Sequence, residues 1–392
     1  MNTDNLKIQL QERGVIMPDP AAVFIAPEVD PARIETGVVL HPGSRLEGKD
    51  LSIGPDCSLG TEGPIRLNDC QLGSGVSLGG GSFDRATLLD GVRGGDQAQV
   101  RAGCLFEEQS SFGHCCGFKQ AILMPFATAG SLVHFCDALL AGGSDRGDFS
   151  EIGSSFVHFN YTPRGDKAAA SLFGDVPAGV LLRSRRIFLG GQGGAAGPVR
   201  VAFGTVLAAG HILRNDIETP GQLVAPPPVA PGERPYDGVC RQPQRIARNI
   251  LLYLGNLRAL DLWYRHARRP FMSRTPWGAR LHAGALRRLD EAVRERVDRL
   301  TEWIGIVGPD AERSCFPSGW APIRERVEHA WANRATPAAP AAVGSSLAAL
   351  EGPSWADAVH RLDAPSASAI RAWLQTIVDS TADASNESRR RA

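Results

Sequence analysis

The stretch VRAGCLFEEQSSFGHCCGFKQAILM, residues 100–124, carries a bulky apolar residue at every sixth position. These positions are Val100, Phe106, Phe112, Phe118 and Met124. Small and polar residues stand between them, so the stretch shows neither the alternation of an amphipathic strand nor the period of a helix, about 3.6 residues. A six-residue period instead predicts a short strand and a tight turn, repeated along the chain.

The same spacing recurs on both sides of this stretch. Its further members are Ile53, Leu59 and Ile65, then Leu72 and Leu78, and later Val201, Leu207 and Leu213. Three such hexads would close one triangular coil of about 18 residues, with the apolar residues inside the prism. Gly and Asn would take the corners, because they tolerate a positive φ. The sequence therefore predicts a mainly β fold, a parallel β-helix over residues 36–215.

The rest of the chain divides by composition. Residues 1–35 form an N-terminal segment, and the Pro-rich residues 216–240 predict an extended linker. From 241 to 335 apolar residues return at steps of three and four, which is typical of amphipathic helices. Residues 336–392 predict an Ala/Pro linker, short helices and a frayed tail. The individual helices are expected at 243–268, 284–304, 322–333, 354–363 and 366–379.

Composition limits the possible partners. The 392 residues include 42 Lys+Arg and 42 Asp+Glu, so charge offers no argument for nucleic acid or an anionic membrane. No apolar stretch approaches the roughly 18 residues of a membrane span, and the N-terminus does not resemble a signal peptide. The eight Cys are therefore expected to be reduced thiols in the cytoplasm.

Two short motifs raise the question of a metal. His and Cys cluster in HCC at 114–116 and in HFC at 134–136. Neighbouring strand residues point to opposite faces, so a single metal could not take all of them. Buried thiols are the simpler interpretation, and no metal is expected.

Residues one coil apart should lie above one another. Arg101 and Lys119 are 18 residues apart, as are Cys116 and His134. A stacked Arg and Lys form a cationic spot suited to a phosphate, although they could equally be two surface cations.

Several segments carry a resemblance over about residues 95–215. They are FGHCCGFKQA, GSLVHF, IGSSFVHFNY and VRVAFGTVLAAGHI. Here the sequence resembles the left-handed β-helix acetyltransferase domain of the bifunctional N-acetylglucosamine-1-phosphate uridyltransferase/glucosamine-1-phosphate acetyltransferase family. The resemblance implies a left-handed solenoid, acetyl-CoA or another acyl-CoA as co-substrate, and a homotrimer. Only a short segment precedes the predicted solenoid, so no counterpart of the uridyltransferase domain is expected.

The resemblance also implies roles for individual residues. Arg101 and Lys119 would hold a sugar phosphate, and His134 would act as general base, with His158 and His211 as alternatives. Asn160 would be a second catalytic residue. The substrate would also contact Tyr161 and Lys167, and the acyl-CoA would bind near Ala208 and Ala209.

Two functions remain open from the sequence. The first is an acyltransferase acting on an amino group or hydroxyl of a sugar phosphate or nucleotide sugar. The second is a non-catalytic solenoid that binds a nucleotide sugar or a protein partner. The stretch from Lys119 to Asn160 is longer than in the family by about one hexad, which would move His134 out of register and favours the second. The presence together of Arg101, Lys119, His134, Asn160, Tyr161 and Lys167 favours the first, which is the preferred interpretation.

Arg residues crowd the first predicted helix. These residues are Arg245, Arg248, Arg258, Arg265, Arg268 and Arg269. They could form either a solvated helix face or a binding site for an anion. The helices could cap the solenoid, pack along it or tie a trimer together.

Overall fold

The computed structural model describes residues 3–158, 170–227, 232–233, 235, 240, 242–333, 339–350 and 352–383. A left-handed parallel β-helix of about 11 turns fills residues 24–224, and a helical region follows it. The predicted fold class is therefore confirmed. The parallel strands begin before residue 36 and continue past residue 215, the limits expected from the hexads.

Each coil contributes a short strand to each of three walls. The first wall consists of β2 (Val39–Leu40), β5 (Ser58–Leu59), β8 (Ser77–Leu78), β11 (Arg93–Gly94), β14 (Ser111–Phe112), β16 (Thr128–Ala129), β20 (Glu151–Ile152), β23 (Phe188–Leu189), β26 (Val206–Leu207) and β28 (Leu223–Val224). The second consists of β1 (Phe24–Ile25), β3 (Arg45–Glu47), β6 (Ile65–Asn68), β9 (Gly81–Asp84), β12 (Ala98–Val100), the first halves of β15 (Gly117–Leu123) and β17 (His134–Leu140), β21 (Ser155–Val157), β24 (Gly193–Ala195) and β27 (Ile212–Leu213). The third consists of β4 (Ser52–Ile53), β7 (Gln71–Leu72), β10 (Ala86–Leu88), β13 (Cys104–Phe106), the second halves of β15 and β17, β22 (Ser171–Phe173) and β25 (Arg200–Val201).

Apolar side chains fill the prism as predicted. Phe106, Phe112 and Phe118 come from three different walls, and their ring centroids lie 5.0–5.5 Å apart. Three rings at one level need space, and Gly94 provides it, because a Cβ there would overlap the Phe112 ring. The prediction for Met124 is wrong: Leu123 points into the prism, and Met124 packs in the cluster around the helices.

The corner at Gln120 explains this shift. Strand β15 continues from the second wall to the third through Gln120, whose φ is 51°. The step between the inward residues Phe118 and Leu123 is thereby one residue short of a hexad. Many corners of the solenoid are occupied by residues other than Gly or Asn. In one column of corners, Gly103 (φ 81°), Gln120 and Asp137 (φ 52°) follow one another from coil to coil.

Ten α-helices complete the described part of the chain. They are α1 (Thr3–Glu12), α2 (Val176–Gly179), α3 (Pro243–Trp263), α4 (Arg269–Met272), α5 (Pro276–Val307), α6 (Pro309–Cys315), α7 (Trp320–Ala332), α8 (Ala341–Ala348), α9 (Trp355–His360) and α10 (Ala364–Ala382). A π-helical turn, Tyr264–Arg268, continues α3 to the end expected from the sequence. Helix α5 starts earlier than expected, at Pro276, where the Thr275 side chain caps it.

The helices lie along the third wall. The outward column of this wall is apolar at Leu105, Ile122, Leu139 and Leu172, and these side chains share one buried cluster with α3, α5 and α10. Helix α5 packs on β4, β7, β10 and β13. It approaches closely at Gly284, where a Cβ would lie 2.7 Å from Gln71 Oε1.

A buried ion cluster joins helix to solenoid. Arg268 is fully buried, pairs with Glu107 at 3.1 Å and also binds Glu108. Tyr264 donates a hydrogen bond of 2.5 Å to Glu107. Arg268, drawn from the Arg-rich helix, is thus neither on a solvated face nor in an open anion site.

Candidate functional site

The second wall brings the predicted cations together. Strands β12 and β15 pair Val100 with Phe118, and the Arg101 N–H donates to the Phe118 carbonyl at 2.9 Å. Arg101 therefore lies beside Lys119 on the next coil, as the spacing predicts. We refer to these two side chains as the Arg101–Lys119 pair.

The following coil has a different register. Strands β15 and β17 pair Gly117 with His134 and Lys119 with Cys136, so the expected stacking of Cys116 on His134 is wrong. This coil is one residue shorter because of the corner at Gln120. Because of this shorter coil, the Cys136 thiol lies next to Lys119.

Cys136 connects the pair to the histidine. Its sulfur lies 3.8 Å from Arg101 Nη2 and 3.5 Å from His134 Nε2. His134 and Cys136 are two residues apart in β17 and so share the outer face of the wall. The imidazole and the Arg101 guanidinium thus approach the same sulfur atom.

The long stretch between Lys119 and Asn160 includes a hairpin. It consists of the antiparallel strands β18 (Gly143–Asp145) and β19 (Asp148–Phe149), at the corner between the third and first walls. The chain then returns to the second wall with Phe156 paired to His134. Because this hairpin follows His134 in the chain, it does not lie between this histidine and the Arg101–Lys119 pair, and the register of His134 relative to the family stays a prediction.

The surroundings of His134 on the second wall determine the charge of its imidazole. His134 is half-buried, and burial lowers its pKa, with a further lowering by the Arg101 charge that outweighs the opposite effect of Asp137. The ring is therefore neutral near pH 7 and can accept a proton. Phe156, 59% exposed, lies with its ring centroid 6.1 Å from that of His134 and offers an apolar surface beside it.

Helix α5 forms one side of this site. Glu295 lies 3.5 Å from Lys119 Nζ, and Arg296 pairs with Asp137 at the corner next to Cys136. Neither residue could be predicted from the sequence, because both lie far from β15 and β17 in the chain. Cys136 could have been found, since it lies two positions after His134 in a predicted strand.

The alternative bases are occupied or distant. His158 lies at a corner, where burial lowers its pKa to about 4 and its Nε2 is 2.6 Å from the Ser171 hydroxyl. His211 Nδ1 is 2.8 Å from the Ala209 carbonyl. His158 borders the same site, since Asp137, Arg296 and His134 act on its charge, but its Nε2 faces Ser171.

The remaining predicted residues fall into two groups. Asn160, Tyr161 and Lys167 lie outside the described residues. Ala208 and Ala209 follow β26 near the end of the solenoid, where Ala208 is half-buried and Ala209 is exposed. A Cβ added to the adjacent Gly210 would meet no described atom within 4 Å, so this corner is open.

The described residues hold neither a metal-binding cluster nor a membrane-spanning helix. Among them there is no group of three or more His, Cys, Asp or Glu that could hold a metal ion. Within the same residues, no helix combines the length and apolar character needed to cross a membrane.

Comparison with known proteins finds similar sequences. No family model matches the chain. It is 26% identical over 209 residues to the bifunctional protein GlmU of Thermotoga sp. (strain RQ2), covering 53% of this chain and 42% of that protein. It is also 26% identical over 224 residues to GlmU of Trichlorobacter lovleyi and 27% identical over 219 residues to that of Pseudomonas entomophila, covering 57% and 55% of this chain and 44% and 42% of those proteins. The matched stretch is thus less than half the length of these relatives. Through these matches and its β-helix, the chain resembles the β-helical acetyltransferase domain of GlmU, as a distant relative.

Proposed function

We propose that the chain is an acyltransferase. It would move an acyl group, acetyl in the simplest case, from acyl-CoA to an amino group or hydroxyl of a sugar phosphate or nucleotide sugar. The observation that carries this proposal is the arrangement on the second wall. Arg101 and Lys119 lie side by side, and His134 stands on the following coil, joined to Arg101 through the Cys136 sulfur.

The cations would bind the phosphate. A guanidinium and an ammonium on neighbouring coils can each donate hydrogen bonds to a phosphate oxygen. Because both side chains project from a rigid wall, the bound sugar would be held in one orientation. Phe156 would support the apolar face of the sugar ring.

His134 would act as the general base. The substrate nitrogen or oxygen attacks the thioester carbonyl carbon, while His134 takes the proton that the attacking group loses. The C–S bond then breaks, and the coenzyme leaves as a thiol after receiving that proton. The open corner near Ala208 and Ala209 supports the proposal that the acyl-CoA binds there. Asn160, Tyr161 and Lys167 remain proposed site residues.

We also propose a cytoplasmic homotrimer. All eight cysteines, each within the described residues, are free thiols, which fits a reducing compartment. The helices cover the third wall, so neighbouring subunits would meet the first and second walls. The acceptor sugar would then bind close to a subunit boundary.

One observation favours the non-catalytic alternative. Lys119 is paired with Glu295 of the same chain, so one of the two cations that would orient an acceptor for transfer is already neutralised. In that case the wall would bind a nucleotide sugar or a protein partner without transferring an acyl group.

A thiol-release assay separates the two functions. The protein is incubated with acetyl-CoA and a panel of amino- and hydroxy-sugar phosphates. We expect release of free thiol with at least one acceptor, and its loss in His134→Ala but not in His114→Ala, which changes an exposed corner histidine. If wild type releases no thiol but a nucleotide sugar raises its Tm, the chain is a binding protein and the proposed acyltransferase function is wrong.

A further inference from the structure

Helix α5 places a carboxylate against the Arg101–Lys119 pair. Glu295 Oε1 lies 3.5 Å from Lys119 Nζ, and the two side chains are 25% and 34% exposed. Solvent, and therefore a ligand, can reach both groups. The carboxylate lies next to the ammonium with which the phosphate of an acceptor would pair.

Glu295 has two further cationic neighbours. Its Oε1 lies 3.1 Å from Arg299 Nε and 3.8 Å from Arg296 Nη2. Burial raises the pKa of Glu295, but Lys119, Arg296 and Arg299 together lower it below its ordinary value, so the group is ionised at neutral pH. Lys119 can therefore move away from Glu295 without leaving this carboxylate unpaired.

The two members of the pair differ in availability. Arg101 is exposed, and within the described part of the chain its guanidinium has no ion-pair partner. Its recorded side-chain contact is the weak one to the Cys136 sulfur at 3.8 Å. Arg101 is thus open to an anion, whereas Lys119 is already held.

We infer that Glu295 is an intramolecular competitor for Lys119 and sets the affinity of the pair for phosphate groups. This inference rests on the phosphate site of the proposed function. A phosphate group carries about −1.5 to −2 charges at neutral pH, more than one carboxylate, and so can draw Lys119 away. Glu295 then stays with Arg296 and Arg299, and helix α5 keeps its place on the wall.

Calorimetric titration of the full chain with inorganic phosphate at low salt tests this inference. Glu295→Gln keeps the shape of the side chain and removes its charge. We expect it to bind phosphate about three- to tenfold more tightly than wild type, the size expected for a partly exposed charge at short range.

Glu302→Gln is the matched control. Glu302 lies on the same helix and pairs with Arg299 at 2.8 Å, but it is 61% exposed and makes no recorded contact with Lys119. Phosphate affinity should be unchanged in this variant. A gain equal to that of Glu295→Gln would show a general charge effect and overturn the inference.

A Lys119→Met background isolates the contact. In that background Glu295→Gln should give no further gain. Weaker or unchanged phosphate binding by Glu295→Gln, or no binding by any variant, would contradict the role assigned to Glu295. The thiol-release assay is independent of this titration. A negative result for acyl transfer therefore leaves the competition between Glu295 and phosphate untouched, and a negative titration leaves acyl transfer untouched.

Discussion

At the scale of single residues, the histidine on the second wall owes its properties to its surroundings. Burial lowers the pKa of His134, and Arg101 lowers it further. A base that must be neutral before it accepts a proton benefits from both effects, because the neutral form then persists to lower pH. Arg101 would therefore serve both the phosphate and the base.

The pH dependence of transfer should reflect this arrangement. Since the reactive form of His134 is the neutral imidazole, kcat/KM should be constant near pH 7 and fall only below the ordinary imidazole pKa of about 6.5. In Arg101→Gln the lowering effect is lost, so the His134 pKa should rise and the fall should begin at higher pH. NMR titration of the His134 ring measures this directly. An unchanged or lower pKa in Arg101→Gln would contradict the account.

A second prediction at this scale concerns the filled prism. Gly94→Ala places a methyl group against Phe112 and should lower the free energy of unfolding by about 1–3 kcal/mol. Phe112→Leu in the same chain should recover part of the loss, because the smaller side chain vacates the space. Urea denaturation of the single and double variants checks this, and additive losses would show that the two residues do not share a space.

At the scale of elements, the junction between α3 and the third wall decides how the helices dock. Arg268 faces Glu107 and Glu108 at one corner of the solenoid, with Asp90 nearby. The buried carboxyl of Glu107 and the half-buried carboxyl of Glu108 share one guanidinium. Burial is the main cause that raises the pKa of Glu108 to about 7, and it also raises the pKa values of Glu107 and Asp90.

This cluster should make stability depend on pH. A carboxyl whose pKa is raised by folding contributes its full stability below the unfolded pKa and loses it as pH rises through the folded pKa. Between about pH 5 and pH 8 the Glu108 carboxyl should thus cost on the order of 1–3 kcal/mol of unfolding free energy. Glu108→Gln should reduce that decline, whereas Glu12→Gln, at an exposed helix end, should not. Equal pH profiles for wild type and Glu108→Gln would contradict this explanation.

At the scale of the whole molecule, solenoid and helices share a buried cluster. The outward side chains Leu105, Ile122, Leu139 and Leu172 are apolar and lie buried beneath the helices. A solenoid without its helices would expose these side chains and the carboxylates that pair with Arg268. The two parts should therefore be stable only together.

Removal of residues 243–392 tests this interdependence. We expect the remaining solenoid to aggregate or to bind hydrophobic dyes, as exposed apolar patches of this kind do. Size-exclusion chromatography beside the full chain gives the answer. A truncated chain that elutes as a sharp, folded species would show that the helices are a separate unit.

The sequence predicts the parts of this molecule that repeat. Hexads identify the solenoid and the stacking of Arg101 on Lys119, because an inward apolar residue is needed on every wall. The short coil at Gln120 and the hairpin at 143–149 carry no periodic signal, so the pairing of His134 with Gly117 and Phe156 could not be derived. The contact of Glu295 with Lys119 depends on tertiary packing between residues 176 positions apart, and local patterns do not encode it.

In the proposed site, the second wall binds an acceptor phosphate at Arg101 and Lys119 and presents the acceptor group to His134. The most direct measurement is a crystal structure of the full chain with glucosamine 1-phosphate. We expect phosphate oxygens within hydrogen-bond distance of both cations, Lys119 drawn away from Glu295, and the amino group facing the His134 imidazole. A ligand bound on another wall, or one whose phosphate contacts neither Arg101 nor Lys119, would contradict it.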